Sequence, residues 1–154
     1  MKPQRSPVAY SLTLLGRRDY SVRELMRKLE GKGYQRDEID AAVTRLREWK
    51  YLDDERYLRR LIEKYRKDKK SRSYIRGRLS LAGLEPEMIE EGLATIYPPE
   101  QEKEIVRFWW EKCFTASGGS PQEKKEVIRW ARRLYAAGFP AEAIRPYLDR
   151  NNES

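Results

Sequence analysis

The chain has no histidine, a single cysteine and no long apolar run in its 154 residues, and each shortage removes a class of function. Without His, the side chain best suited to proton transfer near neutral pH is missing, and a zinc site lacks its usual nitrogen ligand. The lone thiol, Cys113, has no partner for an intramolecular disulfide and no second Cys for a metal set. Apolar stretches are short, and that from Leu12 to Leu15 is itself broken by Thr13, whereas a membrane-spanning helix needs about 20 apolar residues. The start, Met1 to Pro7, does not lead into the apolar core and small-residue cleavage site of a secretory leader. A cytoplasmic chain without a membrane partner is expected. No Gly-x-x-x-x-Gly-Lys-Ser/Thr phosphate loop is present either. The expectation is a protein that is not an enzyme, with no cofactor and no metal.

What the chain does have is positive charge in one place. It carries 33 Lys plus Arg against 25 Asp plus Glu, a net charge of +8. Eleven of the basic residues fall between positions 56 and 78: Arg56, Arg59, Arg60, Lys64, Arg66, Lys67, Lys69, Lys70, Arg72, Arg76 and Arg78. Only Glu63 and Asp68 oppose them, so this segment is +9 and the rest of the chain is −1. Uncompensated like charges repel one another, a cost that a polyanionic partner relieves. The segment is therefore the candidate binding surface. Just before it, Asp53-Asp54-Glu55 reads as a set of N-capping carboxylates in front of a helix rather than as a metal cluster.

The chain also repeats. Aligning it on Gly33, Gly83 and Gly138, spaced by 50 and 55 residues, brings apolar columns into register. Eight positions before each glycine stand Leu25, Ile75 and Trp130; four before stand Leu29, Leu79 and Leu134; one after stand Tyr34, Leu84 and Phe139. Further on come Ile39, Ile89 and Ile144, then Val43, Leu93 and Leu148. Apolar residues four apart form one stripe of a helix, so each glycine joins two helices at a left-handed turn. The downstream helix opens on acid at Asp37, Glu87 or Glu142, which suits the positive end of the helix dipole. Upstream, Ser21-Val-Arg-Glu24 is a capping box, and Ser120-Pro-Gln-Glu123 repeats the pattern. A third helix precedes each pair: Val8 to Arg17 around Leu12 and Leu15, Glu55 to Asp68 around Leu58, Leu61, Ile62 and Tyr65, and Glu102 to Phe114 around Ile105, Phe108 and Trp109.

The fold expected is all-α, three tandem three-helix repeats over 7–52, 53–97 and 98–150, stacked into an elongated or curved array because units of this size bury little alone. Hinges are expected at Tyr51-Leu-Asp-Asp54, Tyr97-Pro-Pro99 and Thr115 to Ser120, and Pro146 is expected to kink or shorten the last helix.

Ser21-Val-Arg-Glu-Leu25 leading to Lys28-Leu29, then Lys32-Gly-Tyr34, Glu38-Ile39, Val43-Thr-Arg-Leu46 and Tyr51-Leu-Asp-Asp-Glu-Arg-Tyr57, resembles the RecX family of regulatory proteins. The resemblance continues through Ser73 to Leu93 and thins over the third repeat. It implies a modulator that binds the RecA filament on single-stranded DNA and restrains its ATP hydrolysis, strand exchange and co-protease action. A monomer in isolation, with weak and salt-sensitive contact to single-stranded DNA itself, fits that reading.

Three further features bear on binding. Tyr74 falls in an exposed column with Glu24 and Arg129, so its ring is a candidate for stacking on an unpaired base. Lys28, Arg78 and Arg133 form one column that is basic in all three repeats and would line a shared face. Adjacent Trp109 and Trp110 cannot both enter one helix stripe, which gives one of them to a seam between repeats or to a partner; Trp130 belongs to the core, and Cys113 reads as a small apolar filler. A helix-turn-helix protein acting on free DNA is the alternative, but its recognition helices would begin Arg36-Asp-Glu-Ile-Asp40, Glu87-Met-Ile-Glu-Glu91 and Ala141-Glu-Ala-Ile144, turning acid toward phosphate.

Overall fold

The computed structural model describes residues 5–116 and 124–152, and among them are nine helices and no strand. In chain order these are α1 (Pro7–Leu15), α2 (Val22–Lys32), α3 (Arg36–Glu48), α4 (Asp54–Lys67), α5 (Arg72–Leu81), α6 (Pro86–Ile96), α7 (Pro99–Ala116), α8 (Lys124–Ala136) and α9 (Ala141–Asn152). They form three tandem three-helix repeats in the glycine register. Gly33, Gly83 and Gly138 have φ of 100°, 83° and 95°. At each, the glycine N–H donates to the carbonyl three residues back and the next N–H to the carbonyl five back, the Schellman ending that satisfies orphan helix carbonyls. The residue after the glycine, Tyr34, Leu84 or Phe139, is buried. Ser21 accepts from the Glu24 N–H while the Glu24 carboxylate accepts from the Ser21 N–H, so the capping box is formed. The box expected at Ser120 to Glu123 lies outside the described residues.

The aligned apolar columns are the core, with Leu148 alone only half-buried. Two stripes differ from expectation, for one reason. In α1 the buried residues are Ser11 and Leu14, and Leu12 is exposed. In α7 they are Glu102, Ile105, Val106 and Trp110, and Phe108 is 39% exposed. Each stripe runs through a polar residue that a count of apolar positions passes over. Ser11 hides its hydroxyl by donating to the Pro7 carbonyl at 2.6 Å, and the Glu102 carboxylate accepts from the Arg72 N–H at 2.7 Å.

Two of the expected hinges are anchors. Leu52 is buried, and Tyr97 is fully buried with its hydroxyl donated to the Lys70 carbonyl at 2.9 Å. Thr115 belongs to α7, and the rest of the third hinge, from residue 117, lies outside the described residues. Pro146 does not shorten α9, which runs on to Asn152. The carbonyl deprived of its bond belongs to Glu142, an exposed residue in reach of water, and the next residue, Tyr147, stacks on Trp110 at 5.0 Å.

The chain divides into two compact units, residues 1–61 with 78–89 and residues 62–77 with 90–154. In the first, α1 and α2 pack on α3 over a core that includes Leu14, Leu25, Leu29, Ile39 and Leu46. In the second, α7, α8 and α9 pack on one another around Val106, Trp110, Trp130 and Ile144. One linkage appears in both. Ser21 donates to the Ala82 carbonyl at 2.6 Å while the adjacent Val22 N–H donates to Asp54 at 2.9 Å. Ser71 donates to the Ala137 carbonyl at 2.7 Å while the adjacent Arg72 N–H donates to Glu102. In each case the start of one repeat's second helix satisfies the end of the next repeat's second helix, and takes a carboxylate from that repeat's first helix. Twelve residues before Gly138 the register holds Glu126, inside α8, in place of the serine.

Candidate binding surface

The best-defined part of the basic segment is the turn between α4 and α5. It is held by its backbone. Lys69 adopts φ of 61°, a left-handed conformation that costs a residue with a Cβ about 1–2 kcal/mol. Its carbonyl accepts from the Trp109 indole at 2.9 Å, the Lys70 carbonyl accepts from Tyr97, and the Ser71 hydroxyl donates to Ala137. With the backbone turned inward, the lysine side chains are presented outward: the Lys69 ammonium lies 5.1 Å from the Phe108 ring and that of Lys70 5.2 Å from the Tyr74 ring. Such contacts orient a cation without neutralising it. Tyr74 is exposed on one edge, and its ring packs edge-on against buried Tyr65 at 5.3 Å.

The arginines of the segment behave differently from the lysines. Arg66 donates to the Ile96 carbonyl at 3.0 Å and Arg72 to the Tyr97 carbonyl at 2.8 Å, closing the C-terminal end of α6. Arg76 pairs with Glu90 at 2.5 Å and holds that carboxyl below its ordinary range through the hydrogen bond. In the first unit Arg56 donates to the Lys50 carbonyl, and one nitrogen of Arg60 donates to both carboxylate oxygens of Asp19. Each of these five arginines donates to a partner inside the molecule, Arg60 from an exposed position, while Arg59, Lys64, Lys67 and Lys70 also stand exposed. The basic column is also exposed at Lys28, Arg78 and Arg133. Asp53 caps α4 by accepting from the Arg56 N–H, as expected, while Asp54 serves Val22 instead.

Sequence reasoning missed a second cationic surface. Lys125, Arg129, Arg132 and Arg133 share one side of α8 with exposed Ile128, lining a shallow depression. Acids elsewhere in this repeat offset most of its positive charge along the chain, but among the described residues none lines this depression. Arg133 also borders a separate cleft of about 350 Å³ whose rim carries Lys69, Lys70 and Lys112 and whose lining includes Trp109, Cys113, Trp130, Leu134 and Phe139. Of the two adjacent tryptophans, Trp110 enters the core and Trp109 makes the seam to the second repeat's turn. Burial pushes the Cys113 thiol up from its ordinary value, the opposite of an activated nucleophile.

A family model described as "RecX, first three-helix domain" matches residues 9–46. Over most of its length the chain is similar to proteins named regulatory protein RecX. That of Vibrio vulnificus is 32% identical, covering 93% of this chain and 91% of the relative. That of Caldanaerobacter subterraneus is 31% identical, covering 91% of this chain and 68% of the relative. The chain belongs to the RecX family. The crystal structure of RecX from Lactobacillus salivarius shares the fold, with a TM-score of 0.81 at 17% identity over 96% of both chains. The same family name covers regulatory proteins, and membership extends across the third repeat, where the quoted motifs thin out. Among the described residues of this RecX-family chain no helix is long and apolar enough to cross a membrane. The third helix of each repeat opens on acid, at Asp37 and Glu38, Glu87 and Glu142, which disfavours its use as a major-groove reader.

Proposed function

We propose that this chain is a cytoplasmic, monomeric regulator that performs no chemistry of its own, docks on the RecA–single-stranded DNA filament and restrains ATP hydrolysis, strand exchange and co-protease action in DNA repair and recombination. Membership of the RecX family supports the target, and the pinned turn with its outward lysines supports the mode of contact. A rigid cationic turn meets a polyanion without paying to order a loop. Within the second unit Lys64, Lys67, Lys69 and Lys70 make the main electrostatic contact in this reading, with Arg133 adding charge and the exposed Tyr74 ring stacking; within the first unit Lys28, Arg59 and Arg78 contribute charge of their own. Arg66, Arg72 and Arg76 brace the second unit through bonds to its own groups, as Arg56 and Arg60 do in the first.

The test is co-sedimentation with RecA filaments across a salt series, with RecA-free single-stranded DNA as control. Changing Lys64, Lys67, Lys69 and Lys70 together to Glu is expected to abolish both filament binding and inhibition. Binding to bare DNA is expected to be weak and to fall steeply with salt, as counterion release dictates. Inhibition unchanged in the fourfold variant removes the turn from the mechanism. Tight, sequence-selective binding to free duplex DNA overturns the filament reading.

A further inference from the structure

The filament reading takes up Lys69, Lys70 and Arg133 on the rim of the cleft in the second compact unit but leaves its apolar floor and Lys112 unused. Its floor is apolar, with Trp130, Leu134 and Phe139 all buried beneath it. Its rim holds Lys69, Lys70, Lys112 and Arg133, and among the described residues none that lines it is acidic. At about 350 Å³ it falls within the roughly 300–1,000 Å³ of sites that enclose a ligand. The charge selects an anion, but the floor selects something that is not polar all over. The Ser71 hydroxyl already donates to Ala137 and accepts from the Tyr74 N–H, and the Trp109 indole N–H is given to Lys69. A nucleobase seated there would bring several edge donors and acceptors to a floor whose nearest polar groups are committed, at a cost of about 1–3 kcal/mol for each one left unpaired. An aliphatic or aromatic side chain brings none.

We propose that this cleft docks an acidic peptide segment of a partner protein, one apolar side chain entering over Trp130, Leu134 and Phe139 while flanking carboxylates meet Lys69, Lys70, Lys112 and Arg133. The pattern is a desolvated anchor inside a charged rim. Lys69, Lys70 and Arg133 serve both surfaces, but the ligand here is defined by chemistry and its test contains no RecA, so the two readings fail separately.

Phage-displayed random dodecapeptides are panned on the full-length purified chain, and an enriched peptide is then synthesised with a fluorescein label. Enriched sequences are expected to place a Phe, Trp, Leu or Ile within two residues of at least two Asp or Glu. Lys112→Glu with Arg133→Glu, both exposed positions, is expected to weaken the labelled peptide at least tenfold, and Cys113→Trp, which fills the cleft, to do the same. As a measurement on the unaltered chain, the peptide is expected to slow iodoacetamide alkylation of Cys113, the only thiol, at pH 9. Peptides enriched without acid, no enrichment at all, or binding indifferent to both variants overturns the proposal. So does a thymidine dodecanucleotide that protects Cys113 while the peptide does not, since that outcome makes the cleft a base pocket.

Discussion

Ser21→Ala tests the linkage between successive repeats. The hydroxyl does two things at once: it accepts from the Glu24 N–H at the start of α2, and it donates to the Ala82 carbonyl beyond the end of α5. Loss of a serine N-cap costs about 1 kcal/mol. The Ala82 carbonyl is one of the orphans at a helix C-terminus, and Ala82 is 4% exposed, so water does not replace the lost donor. An unsatisfied buried acceptor adds about 2 kcal/mol, bringing the expected loss to about 3 kcal/mol. For a chain of this length that lowers Tm by roughly 6–12 °C. Ser71→Ala is the internal comparison. Its hydroxyl has the same two partners in register, the Tyr74 N–H and the Ala137 carbonyl, but Ala137 is exposed. Water can take over there, and the expected loss is about 1–2 kcal/mol. Urea titrations followed by tryptophan fluorescence and circular dichroism measure both. If Ser21→Ala lies within about 1 kcal/mol of the unaltered chain, or if Ser71→Ala is the more damaging, the linkage does not carry the energy assigned to it.

Glu102 is buried, and desolvation raises its pKa above the ordinary 4.5 despite the bond from Arg72. The folded state then holds its proton more tightly than the unfolded state, so stability falls as pH rises from the unfolded value through the raised one. Glu102→Gln keeps an acceptor for the Arg72 N–H and removes the charge; urea midpoints across that range should show the variant gaining on the unaltered chain as pH rises, and parallel curves refute this. Gly138→Ala must place a Cβ at φ of 95° and 2.6 Å from the Ser71 Oγ, for an expected cost of about 2 kcal/mol or more. Gly77→Ala, in α5 with nothing within 4 Å of the added methyl, is expected to stabilise by about 0.5–1 kcal/mol. Thermal denaturation of the pair separates conformational strain from helix propensity, and equal effects contradict the account.

Much of the fold was legible because the repeat supplied its own controls. Three glycines in register, each followed by a buried apolar residue and an acid-led helix, leave little freedom in where the second and third helices of each repeat fall. The first helices were less legible, since Ser11 and Glu102 occupy core stripes and a serine or carboxylate does not announce burial until its hydrogen bond is known. The candidate surface was readable as a concentration of charge but not as a set of roles. Residue type held part of the answer: the cations whose side chains hydrogen-bond within the molecule, Arg56, Arg60, Arg66, Arg72 and Arg76, are all arginines, whose planar fork suits carbonyls and carboxylates, while Lys64, Lys67 and Lys70 are exposed, as is Arg59. The α8 surface was invisible to charge counting, which adds residues along the chain and cannot see which side of a helix each occupies.

The sequence by itself determined the helical class, the three-fold periodicity, the left-handed turns and the location of the cationic segment, because all of these depend on spacing and on the intrinsic geometry of glycine, serine and carboxylates near one another in the chain. Only the tertiary structure decided which cations remain available, that Tyr97 and Trp109 fasten the turn carrying Lys69 and Lys70, and that a cleft opens beside it. Those outcomes depend largely on hydrogen bonds that reach as far as 66 residues along the chain, and no local pattern encodes which carbonyl a distant hydroxyl or indole will meet.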